Sequence, residues 1–77
     1  MIIHNIEILI SDRPEREWVE AELWIDNVQL AAINQEQEHL EIEIFPRPDG
    51  EPWAIPYEHL MSALDRAKRF LIIGERD

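Results

Sequence analysis

Glu20 and Glu22, and again Glu41 and Glu43, stand two residues apart within stretches of apolar residues. That spacing puts both members of a pair on the same side of a β-strand. Paired carboxylates can share protons in acid–base catalysis, hold a hard cation, or attract a cationic partner. Acid–base work needs a pocket that drives two pKa values apart, and an open sheet face offers none. Ca²⁺ or Mg²⁺ wants oxygens converging on one point at ~2.0–2.6 Å. A flat sheet spreads its carboxylates, and no Asp-x-Asp-x-Asp-Gly loop occurs. His4, His39 and His59 lie far apart in sequence, and there is no Cys, which removes thiolate ligands and disulfides. The available nucleophiles, Ser11, Tyr57, Ser62 and Lys68, have no adjacent base motif. The only glycines, Gly50 and Gly74, cannot build a phosphate-cradling loop. The expectation is therefore a protein with no catalytic residue, no cofactor and no metal, whose carboxylates serve recognition.

The charge distribution points the same way. Up to Ile55 the chain carries 13 Asp and Glu against three Arg and no Lys, a net of −10; from Pro56 onward four acids balance four bases. Confining one sign to one region costs self-repulsion, and the resulting field draws oppositely charged partners. A basic protein partner fits. Direct binding to DNA, RNA or anionic lipid does not, since these select Lys and Arg. The apolar runs are far shorter than the ~20 residues that span a bilayer, and no signal-peptide pattern opens the sequence. With no Cys, a reducing cytoplasm is the expected location.

The elements that must position these side chains follow from periodicity. At 77 residues and 45% apolar content, one small folded domain is expected. Alternation predicts strands over Ile2–Ile10, Glu17–Ile25, Val28–Asn34 and His39–Phe45. Asp26-Asn27 suits a two-residue hairpin loop, because both types tolerate positive φ. In that register Ile25 pairs with Val28, Leu23 with Leu30 and Ala21 with Ala32. Pro46 to Ile55 reads as a loop with turn signals at Pro48-Asp49-Gly50 and Glu51-Pro52. Pro56 fits the first helical position, and a helix follows from Tyr57 to about Ile72. Its buried stripe is Leu60, Ala63, Leu64, Ala67 and Leu71. The expected fold is α+β: a four-stranded antiparallel β-meander (1–45), a loop (46–55) and one C-terminal helix (56–73) packed on one sheet face. The position of the first strand in the sheet stays open.

The uncovered face then carries rows of Glu20, Ile33 and Glu41, and of Glu22, Ala31 and Glu43. Trp24, Gln29 and Phe45 lie at one end, and Trp18, Gln35 and His39 at the other. Alternating Glu is also an ordinary way to solvate an outer face. Large aromatics in water are less ordinary, and they are favoured anchors at interfaces. The expected partner-binding set is Trp18, Glu20, Glu22, Trp24, Glu41, Glu43 and Phe45. Crowding of like charges opposes self-association through this face, so a monomer or weak homodimer is expected. Trp53 and Tyr57 are expected to close the end of the core.

Asp26-Asn27, Ala31-Ala32-Ile33-Asn34-Gln35-Glu36, Glu41-Ile42-Glu43-Ile44, Trp53 and Leu64-Asp65-Arg66-Ala67-Lys68 form a pattern that resembles small acidic bacterial immunity proteins associated with polymorphic or contact-dependent toxins. The resemblance covers about two thirds of the chain and its motifs are mostly structural. It implies a cytoplasmic inhibitor of a basic toxin domain, such as a nuclease, that acts by covering the active site. Two other readings stand beside it: a phage-encoded inhibitor that mimics nucleic acid to block a host defence complex, and a non-catalytic accessory subunit.

Overall fold

The computed structural model describes residues 5–12, 14, 18–35 and 39–72. Four strands, β1 (Glu7–Ser11), β2 (Glu20–Ile25), β3 (Val28–Asn34) and β4 (Glu41–Ile44), precede one helix, α1 (Tyr57–Ile72). The strands form one antiparallel sheet in the order β1-β2-β3-β4, with the helix against it, an α+β fold. The first strand, whose place was open from sequence, pairs with β2 from Glu7↔Trp24 to Ser11↔Glu20. Its expected beginning at Ile2 lies outside the described residues. β2 begins at Glu20, and Glu17 is likewise undescribed; β4 is shorter than His39–Phe45 by three residues, His39, Leu40 and Phe45.

The β2–β3 hairpin closes through Asp26 (φ 48°) and Asn27 (φ 67°). Two successive positive φ values define the turn whose twist matches its flanking strands. Beyond it the register departs from the expected one. Ile25 does pair with Val28, but Leu23 pairs with Ala31 and Ala21 with Ile33. Leu30 is an extra residue, a β-bulge opposite the Leu23–Trp24 step. The reason lies in the unbroken apolar run Leu30-Ala31-Ala32-Ile33. Strict alternation would leave Ala31 and Ile33 outside. With the bulge, Leu30, Ala31 and Ile33 all join the core, and only Ala32, the smallest kind of apolar side chain, turns to the opposite face. Burying Ile33 in this way is worth roughly 2 kcal/mol.

The core joins Ile6, Ala21, Leu23, Leu30, Ala31 and Ile33 to Ala63, Ala67 and Leu71 of α1, with Leu60 and Leu64 packed beside it. Small residues on the buried side of the helix let it approach the sheet closely. Its contacts fall mainly on β1 and β2. The core-side residues of β4 are therefore left uncovered, and Ile44 is 71% exposed. The helix begins one residue later than expected: the Pro56 carbonyl accepts from Leu60 N at 3.1 Å, which makes Pro56 the capping residue.

The loop between β4 and α1 is internally braced. Arg47 Nη2 bonds Asp49 at 2.6 Å and Nη1 bonds the Pro52 carbonyl at 3.3 Å. The guanidinium lies 5.7 Å from the Trp53 ring centre. Trp53 packs against the core as expected, and its Nε1 donates to the Phe45 carbonyl at 2.7 Å. Tyr57 does not close the core; it is 72% exposed at the first position of the helix.

Candidate functional site

The face turned away from α1 is assembled by register. On β2 it takes Glu20, Glu22 and Trp24. On β1 their partners Ser11, Leu9 and Glu7 stand beside them. On β3 it takes Gln29, Ala32 and Asn34, and on β4 Glu43 and Glu41. The rows expected from sequence need correction. Glu22 and Glu43 flank Ala32, not Ala31, and Glu41 stands opposite Asn34, not Ile33. The glutamates nonetheless stay on one side, because the bulge slides the second half of β3 by one residue against both neighbours and leaves Glu22 level with Glu43. Glu22 and Glu43 stand two strand spacings apart, about 9.6 Å.

Two of the carboxylates are held by side chains of this same face. Trp24 Nε1 donates to Glu22 Oε1 at 3.0 Å, and Asn34 Nδ2 donates to Glu43 Oε1 at 3.4 Å. Glu41 lies 3.9 Å from His39 Nε2 in an exposed setting. These contacts fix the acids in place while leaving Glu41 and Glu43 at the surface. Glu22 and Trp24 are half-buried, so part of each side chain remains accessible. Phe45, just beyond β4, is half-buried, and its amide donates to the Leu30 carbonyl at 2.9 Å. Beside Trp24, the Gln29 Nε2 is buried without an acceptor.

Two of the expected residues do not belong to the accessible patch. Glu20 has the right side of β2 but is 1% exposed, and it is engaged within the fold. It cannot meet an external cation without rearrangement. Trp18 precedes β2 and lies outside the sheet, although it is 55% exposed. The sheet adds two residues that sequence reasoning missed, Glu7 and the exposed Leu9, opposite Trp24 and Glu22. The signal was the unknown strand order. Once β1 is paired with β2, the alternation of Ile6, Ile8 and Ile10 with Glu7 and Leu9 assigns them to this face.

Comparison with known families, curated proteins and solved structures finds no match. Among the described residues no three His, Asp or Glu converge as metal ligands would. Among these residues no helix is long and apolar enough to cross a membrane. The accessible patch consists of Glu7, Glu22, Glu41 and Glu43 on the same face as Trp24, with Leu9 at its β1 side and the half-buried Phe45 just beyond β4. Fixed carboxylates on one face with a half-buried aromatic can pair with guanidinium or ammonium groups. The aromatic supplies apolar area at low entropic cost.

Proposed function

We propose that this chain is an acidic protein-binding inhibitor, an immunity-type protein that neutralises a basic toxin domain, such as a nuclease, by covering its active site. The observation that carries the reading is the row Glu22–Ala32–Glu43 beside Trp24, in which two hairpins in step bring carboxylates from separate strands to one face. The free protein gains little from this grouping, because like charges repel. A surface rich in Lys and Arg gains from it. Charge of this kind chiefly speeds encounter and selects partners, while the desolvated aromatic contributes to residence time. The inhibitor would act inside the cytoplasm of the toxin-producing cell, and its resemblance to immunity proteins supports that assignment.

The test is co-expression with the C-terminal domain of the protein encoded by the adjacent gene. Growth restored by this chain, with an association rate that falls as salt rises, supports the proposal. A toxic domain left unaffected by the chain, or an association rate indifferent to ionic strength, refutes it.

A further inference from the structure

β1 and β4 are the two edge strands of the sheet, and the outer edge of β4 is the one flanked by the glutamates of the acidic face. Among the described residues no strand pairs with it, and all four of its residues are exposed. Phe45 N donates to Leu30 O, in register with the ladder Ala32↔Glu43 and Asn34↔Glu41. Antiparallel pairing alternates bonded and non-bonded positions. Glu41, Glu43 and Phe45 therefore direct their backbone groups to β3, and Ile42 and Ile44 direct theirs outward. The two faces of this edge differ sharply. Ile42 and Ile44 lie on the helix side, next to a groove of ≈ 260 Å³ whose walls include Leu40, Ile42, Met61 and Leu64. Glu41 and Glu43 lie on the acidic side.

We infer that β4 receives an added antiparallel strand from the basic partner, a segment in which apolar residues alternate with Lys or Arg. The inference rests on the acidic-inhibitor reading and specifies how that partner is gripped. Opposite Ile42 and Ile44, apolar side chains of the incoming strand would cover the exposed isoleucines while its backbone bonds their amides and carbonyls. Opposite Glu41 and Glu43, its basic side chains would meet the carboxylates. Side chains of alternate residues give such strand addition its specificity. A second copy of this chain is a poor occupant: pairing β4 with itself on matching faces sets Glu against Glu, and like charges directly opposite are destabilising.

The experiment uses the ¹⁵N-labelled chain with a peptide of about ten residues in which Val and Lys alternate. Amide hydrogen exchange is the readout. The expected result is about tenfold slower exchange at Ile42 and Ile44, with smaller changes at Glu41 and Glu43, whose amides are already bonded. Ile44→Pro removes one outward donor at an edge position that tolerates proline, and should weaken peptide binding about tenfold, equivalent to about 1.4 kcal/mol. A bound peptide that leaves Ile42 and Ile44 unprotected overturns strand addition, and so does equal protection by a peptide of the same composition with Val and Lys in separate blocks. A peptide alternating Val and Glu that binds equally well overturns the acidic-recognition reading instead.

Discussion

Ile33 and Ile44 occupy the same side of the sheet, yet one is 2% exposed and the other 71%. Truncating each to alanine tests both the bulge and the reach of the helix. Ile→Ala removes three carbons, worth about 2.4 kcal/mol of transfer free energy at ~0.8 kcal/mol each. At Ile33 the nearly complete burial applies this in full, and the cavity left behind raises the cost to about 3 kcal/mol. At Ile44 only 29% of the residue is buried (100 less 71), so the same removal costs about 0.7 kcal/mol. Urea unfolding followed by tryptophan fluorescence measures both. In a domain of this size the first change lowers Tm by roughly 12–24 °C and the second by about 3–6 °C. Equal losses would refute the reasoning. So would a loss below about 1 kcal/mol at Ile33, because it would put that side chain on the opposite face and return β3 to the unbulged register.

Three further expectations follow from local geometry. Asn27→Val, at φ 67°, should cost about 1–2 kcal/mol, while Asn27→Gly should be close to neutral; chemical denaturation distinguishes them. Gln29→Met should leave stability unchanged or raise it by up to about 1 kcal/mol, because it removes a buried donor that lacks an acceptor; a drop of more than that would show that the amide is satisfied. The Asp49 carboxyl is held below its ordinary value first by the Glu51 backbone N–H and also by Arg47. A depressed folded pKa means stability present above the unfolded value and lost as pH falls through the folded one. Asp49→Asn should therefore flatten the acid side of the stability profile below about pH 4, and an NMR titration placing Asp49 at or above its ordinary value would contradict this.

Legibility from sequence followed local chemistry. Asp26-Asn27 announced the hairpin because so few residue types accept positive φ. The helix announced itself through Ala63, Ala67 and Leu71 at helical spacing. The glutamates were assigned to one face correctly, although by a register one residue in error. That error had a physical source: four consecutive apolar residues carry no alternation, so nothing in Leu30-Ala31-Ala32-Ile33 marks which residue is the extra one. The burial of Glu20 was equally invisible, since it depends on what lies over the end of β2 and not on the strand's own pattern. Tyr57 was misplaced for a related reason. Its position at the start of the helix fixes its backbone but not which way the ring faces, and it is Trp53 that packs against the core.

The braced loop has a mechanical consequence. Arg47 ties together Asp49, Pro52 and the Trp53 ring, and Trp53 in turn anchors on the carbonyl of Phe45. The stretch leading from β4 toward α1 is thus stapled on itself between Phe45 and Trp53, while β4 is held to β3 by its own four ladder positions. A loop so stapled keeps a fixed reach between the end of the strand and the start of the helix, so a pull on one meets little slack before it is felt at the other.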